Sequence, residues 1–175
     1  DVLFNYIFEW GEAKDSYTAE HPKRLSFTDN IEYINDGGND LVRLINENKM
    51  IPVYYASSGV QSAMPLDVMA DYFTGLVGKN ASVSKHDLAN TLARYLGKDK
   101  ELTNEMLKSI SNKMKYQSVQ LFIEEPEQNL YPDSQRNLTI NLVCALKQAM
   151  PKGRGDSMLV MTTHSPYILS TLNVL

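Results

Sequence analysis

A single cysteine, Cys144, excludes an internal disulfide and gives no sign of an oxidising compartment. Long apolar runs are absent as well. None approaches the ~18–20 residues needed to cross a bilayer, and no secretory leader is visible. Basic excess is also lacking, because 17 Lys and Arg stand against 21 Asp and Glu, for a formal charge of −4. That balance argues against a broad nucleic-acid footprint, although a local basic patch is compatible with it. No Gly-x-x-x-x-Gly-Lys-Ser/Thr phosphate loop occurs anywhere in the 175 residues. Gly37-Gly38 and Gly153-Arg154-Gly155 have neither its spacing nor its lysine. Gly75-Leu76-Val77-Gly78-Lys79-Asn80 sets its glycines too close and has no hydroxyl after the lysine. What is present is ordinary globular composition, 43% hydrophobic and 22% charged, at a length that suits one domain with a substantial core.

The run Val119-Gln120-Leu121-Phe122-Ile123-Glu124-Glu125-Pro126-Glu127 is the most informative segment. A short apolar stretch without alternation, ended by a breaker, reads as a strand buried on both faces of a parallel sheet. Glu124 and Glu125 then fall at the strand's carboxyl end, where open α/β sheets bind ligands. One acid can hold a hydrated Mg²⁺ while its neighbour polarises water, which suits nucleotide hydrolysis. Taken alone, two glutamates also fit a solvated strand end. Met158-Leu159-Val160-Met161-Thr162-Thr163-His164-Ser165-Pro166 repeats the design with a histidine in its turn. Ser165 suits a helix N-cap and Pro166 the first helical position, so His164 stands just outside a helix N-terminus. Tyr55-Ala56-Ser57-Ser58-Gly59-Val60-Gln61-Ser62 is a small-residue turn that leads into an apolar helical stretch.

In this order the three segments resemble the ABC-type ATPases, particularly the recombination, chromosome-maintenance and phage-defence branch that includes the overcoming-lysogenization-defect proteins. The resemblance implies an α/β fold of P-loop NTPase type, in which two heads sandwich ATP and Mg²⁺. Ser57, Ser58, Gly59 and Gln61 match the signature turn, whose hydroxyl and helix-terminal N–H groups meet the γ-phosphate of the opposing head. Glu124 matches the Walker B acid that holds the metal shell, and Glu125 the catalytic glutamate. Pro126 to Pro132 matches the D-loop, with Asn129 toward the partner's nucleotide. Tyr131 departs from the aspartate of transporter-type heads, while Glu-Glu-Pro-Glu followed by Leu-Tyr-Pro fits the phage-defence branch. His164 matches the switch histidine that donates to the γ-phosphate.

The family's phosphate loop lies upstream of the signature, so the chain resembles a carboxyl-terminal lobe, and a beginning at Asp1 fits that expectation. The implied partners are an amino-terminal P-loop lobe, a second head in a homodimer and an effector, with nucleic acid as a further partner of the full-length protein. A membrane partner is not implied, and the family points to the cytoplasm. Without the missing lobe, the chain is expected to bind ATP poorly and to hydrolyse almost none.

Four segments are expected within one domain: a β-rich region over 1–56, the signature turn and helix over 57–78, a helical insertion over 79–116, and the acidic and histidine turns over 117–175. In the first, Val2 to Trp10 and Leu25 to Ile34 read as strands, Asp40 to Asn48 as helical or irregular, and Met50 to Tyr55 as a strand. Phe4, Tyr6, Phe8 and Trp10 share a strand face, either core or a domain interface. Met64, Val68, Tyr72 and Leu76 recur at helical spacing. In the insertion, Ser84 and Thr103 are candidate caps, and the helix pair either meets a partner or covers a sheet edge. Asp133 to Met150 reads as a helix with Leu138, Leu142, Val143, Leu146 and Ala149 inward, and Cys144 is expected to pack as a small apolar residue.

Two other functions fit the residues. Glu124, Glu125 and Glu127 could gather two divalent ions in a metal-dependent nuclease. Alternatively, the fold could serve as a non-catalytic interaction domain.

Overall fold

A computed structural model describes residues 9–81 and 114–175 of the chain. Residues 82–113, most of the proposed 79–116 insertion with both of its caps, and the aromatics Phe4, Tyr6 and Phe8 lie outside the described residues.

Four short strands form an antiparallel sheet in the order β1 (Lys23–Arg24), β2 (Ile31–Asp36), β3 (Asn39–Leu44) and β4 (Lys49–Pro52). The sheet corrects several sequence expectations. Residues 9–14 are helical, so Trp10 does not end a strand. Trp10 and Ala13 are three residues apart and share a helix face. Ala13 is fully buried, and the Trp10 ring lies 5.9 Å from that of Tyr33. The 25–34 strand is interrupted by a turn, in which Leu25 N–H donates to Ile31 O and Thr28 N–H to Leu25 O. Residues 40–44 are strand, not helix. The cause is the two-residue turn at Gly37 and Gly38, whose φ values of 56° and 93° reverse the chain and pair Asp36 with Asn39. β4 stops at Pro52, and Val53–Tyr55 forms a 3₁₀ turn.

The second sheet is two parallel strands, β5 (Gln120–Glu124) and β6 (Met158–Thr162), in the expected adjacency. Their register places Glu124 opposite Thr162. Helices α1 (Ser58–Leu76), α2 (Pro132–Ala149) and α3 (Pro166–Leu172) complete the description. Ile123, Leu138, Leu142, Met64 and Val68 share one core, with Leu121, Leu159 and Met161 packed against it. The intervening positions face outward. Phe122 is 67% exposed, and Met158 and Val160 are exposed beside it. Burial of β5 on both faces is therefore not found among the described residues. The apolar run alternates, and helices cover only one side. Cys144 is likewise exposed on α2, against expectation.

A buried ionic knot ties the pieces together. Asp67, in the middle of α1, is fully buried. It accepts from Ser26 N–H at 2.5 Å and from Asn141 Nδ2 at 2.9 Å, and Lys23 Nζ lies 3.5 Å away. Lys23 also pairs with Asp71. Burial pushes the Asp67 carboxyl up, and Lys23 and the Ser26 N–H oppose that push. The knot joins the antiparallel sheet, α1 and α2, so it sets where the N-terminus of α1 points.

Candidate active site

Two turns leave the carboxyl ends of β5 and β6, and they are locked to one another. Glu124 closes β5 and is exposed. Glu125 follows with φ 45°, the left-handed region that costs a non-glycine residue about 1 kcal/mol or more. Its N–H still donates to Thr162 O at 2.9 Å, so the strand ladder runs one step past β5 before the chain turns. Gln128 N–H then donates to Glu125 O and Leu130 N–H to Glu127 O. Asn129 sits at φ 60°, a conformation that asparagine tolerates well.

The Glu125 side chain is 41% exposed and has a partner at each oxygen. His164 Nε2 lies 3.4 Å from Oε1, and Gln128 Nε2 donates to Oε2 at 2.9 Å. His164 itself is 88% exposed, which leaves the rest of its ring open to a ligand. Ser165 caps α3, accepting from Tyr167 N–H at 3.2 Å, and Pro166 takes the first helical position as expected.

Two polar residues hold the histidine turn in place. Glu127 Oε1 accepts from His164 N–H at 2.7 Å. Its Oε2 is buried without a hydrogen-bond partner among the described residues. Burial would raise the Glu127 carboxyl, but it is held below the usual carboxylate range. Hydrogen bonding, above all from the His164 N–H, outweighs the burial. Gln135, buried on α2, accepts from Ser165 Oγ at 2.5 Å and donates to Leu130 O at 2.8 Å. The sequence placed Gln128 within the D-loop match without a role of its own, and gave Gln135 none. Gln135 carried a faint signal, since it lies three residues before Leu138 on the inward stripe of α2.

The small-residue turn before α1 abuts the same loop. Ser57 is the N-cap, and its Oγ accepts from Val60 N–H at 3.4 Å. Helix geometry leaves the N–H groups of Ser58 and Gly59 without intrahelical acceptors. Gly59 is required by contact, because a Cβ there would stand 2.6 Å from Asn129 O. Ser57, Ser58, Gly59 and Asn129 border one open cleft of about 570 Å³, walled also by Phe27 and Tyr131. Gln61 is turned elsewhere, its amide donating to Tyr54 O at 3.0 Å and Ala56 O at 2.8 Å.

Chemically, the rim offers an exposed carboxylate at Glu124, an oriented carboxylate at Glu125 and an imidazole at His164. The cleft offers free helix-terminal N–H groups, which suit an anionic oxygen. Glu124 offers the hard oxygen that a divalent ion prefers, and the separate cleft at Ser57 to Gly59 offers donors that suit a phosphate oxygen. A three-acid metal cluster, as the nuclease reading requires, is not formed among the described residues. Glu127 instead spends its carboxylate on the histidine turn.

No helix among the described residues is long and apolar enough to cross a membrane. A family model described as an AAA ATPase domain matches residues 10–169. No curated protein matches the chain.

Proposed function

We propose that this chain, which belongs to the AAA ATPase domain family, is the catalytic-glutamate lobe of an ABC-type ATPase head that pairs with a second head around nucleotide. The observation that carries this reading is the meeting of Glu125 and His164, 3.4 Å apart, on the shared carboxyl rim of two parallel strands. Bound ATP with Mg²⁺ supplies the phosphoanhydride to be broken and the charge that neutralises its oxygens. Glu124 holds that metal's shell. Glu125 orients the attacking water and takes its proton. His164, whose Nε2 lies 3.4 Å from Glu125 Oε1, turns toward the γ-phosphate, so nucleotide arrival frees the base. The Ser57 hydroxyl and the Ser58 and Gly59 N–H groups bind the γ-phosphate of the opposite head, and Asn129 borders the same cleft.

The 175 residues contain no phosphate loop, so the reading requires one from another lobe. The outward face of Phe122, Met158 and Val160 supports a lobe seated against β5 and β6, because an apolar strip of this kind gains from being covered. Alone, the chain binds ATP weakly and turns over little. The cycle serves an effector, and DNA repair and phage defence are the settings suggested by the family resemblance.

The test is Glu125→Gln in the protein that carries this segment together with its phosphate-loop lobe. ATP binding should persist and paired heads should accumulate on size-exclusion chromatography. Hydrolysis at the wild-type rate would remove Glu125 from the role of base.

A further inference from the structure

Gln128 is the nearest donor to the carboxylate on which the reaction depends, and its own position is fixed from both sides. Its N–H donates to Glu125 O at 3.1 Å. Its C=O lies 2.9 Å from Ser62 Oγ on α1, a hydroxyl whose single proton is shared with Ser58 O at the same distance. The side chain leaves this anchored backbone and reaches Glu125 Oε2 at 2.9 Å. Gln128 is exposed, yet its donor springs from a backbone anchored by contacts to Glu125 and Ser62.

The chemistry of the donor matters. Of the two groups beside the Glu125 carboxylate, His164 is needed elsewhere once a phosphate arrives. An amide cannot transfer its proton and keeps donating at every working pH. When His164 leaves Oε1, the Gln128 contact remains to fix the carboxylate plane, and Oε1 is left free for water. Without Gln128, a glutamate that is 41% exposed would regain its rotamers, and the reacting geometry would be lost for most of the time.

We infer that Gln128 is a positioning residue for Glu125: its amide holds Oε2 so that Oε1 faces the attacking water once His164 has moved to the nucleotide. The inference rests on the ATPase reading above and goes beyond it, because the family resemblance places this position in the D-loop match but gives it no task toward Glu125. Ser62 stands behind Gln128 and connects its placement to the helix whose N-terminus forms the anion cleft.

The test compares Gln128→Ala and Gln128→Glu with Glu125→Gln, in the protein carrying its phosphate-loop lobe, by steady-state ATP hydrolysis and by nucleotide-dependent pairing. Gln128→Ala should lower kcat by about tenfold with KM for ATP and pairing unchanged, as expected when a reacting group is misplaced. Gln128→Glu keeps the shape, loses the donor and adds a repelling charge, so its kcat should fall at least as far. Wild-type kcat in Gln128→Glu would show that shape alone matters and would overturn the inference. So would a raised KM with kcat retained, or rates within twofold of wild type in both variants. Glu125→Gln separates the two levels. If it is inactive while both Gln128 variants are normal, only the role of Gln128 fails. If it hydrolyses normally, the ATPase assignment of Glu125 fails first.

Discussion

Glu127 Oε1 lies 2.7 Å from the backbone nitrogen of His164, so the turn after β5 holds the turn after β6 by a charge-assisted hydrogen bond. The histidine's place is therefore set by a carboxylate that is not itself at the reacting centre. Glu127→Gln should keep the side chain's shape but weaken the bond, at a cost of about 1–2 kcal/mol near neutral pH. The sign with pH follows from the lowered Glu127 carboxyl. Its contribution is fully present above the ordinary value of 4.5 and is lost as pH falls through the lower folded-state value. Urea unfolding of both proteins from pH 7 to pH 3 should show the gap between them closing in acid.

Gly59 and Gly75 lie in the same helix and should respond oppositely to alanine. At Gly59 the new Cβ meets Asn129 O at 2.6 Å and Leu130 Cδ2 at 3.3 Å. Backbone yields little, so a loss of about 1–3 kcal/mol is expected, with the cleft distorted. At Gly75 nothing lies within 4 Å, and alanine should stabilise by about 0.5–1 kcal/mol. Thermal unfolding of the two variants checks the contrast.

How much of this was legible from the residues depends on where the signal was local. Ser57 as a cap, Ser165 and Pro166 as a helix start, and β5 and β6 as adjoining parallel strands were all readable, because caps and short apolar runs act within a few positions. The exposure of Phe122 was not readable, since an apolar run does not say how many of its faces are covered. The strand at Asn39–Leu44 was hidden by its polar residues, although Gly37-Gly38 was a hairpin signal available beforehand. Gln128 and Gln135 act across turns and between helices, and amides at such positions look like ordinary surface residues until the chain is folded.

Removing Asp67 should be the costliest single change in the antiparallel half. Asp67→Ala leaves Lys23 paired only with Asp71, takes an acceptor from the Ser26 N–H and leaves the Asn141 amide with only its 3.4 Å contact to Asp71. With Asp71 still beside Lys23, the expected loss is about 1–3 kcal/mol, read from the urea midpoint. A loss under 1 kcal/mol would mean that Lys23 finds Asp71 sufficient.

Alkali should unfold the protein through two tyrosines. Burial is the main cause that raises both hydroxyls above the ordinary value of 10.0, joined at Tyr17 by Asp71 and Asp67 and at Tyr33 by its 2.6 Å bond to Asp40. Raised folded-state values mean that stability is fully present below about pH 10 and is lost as pH rises from there toward the higher folded-state values. Denaturation between pH 8 and pH 11 should show stability falling above pH 10. In Tyr33→Phe the slope should be shallower, and the neutral-pH stability should be lower through loss of the Asp40 bond.

The measurement that bears most directly on the paired roles of Glu125 and His164 is a double-mutant cycle in single-turnover ATP hydrolysis. It uses Glu125→Gln, His164→Ala and the double variant, each with the phosphate-loop lobe present. Residues that act as one unit should be strongly non-additive, the double variant being hardly slower than the slower single one. Independent, multiplicative losses, or wild-type turnover in either single variant, would contradict a shared catalytic cleft.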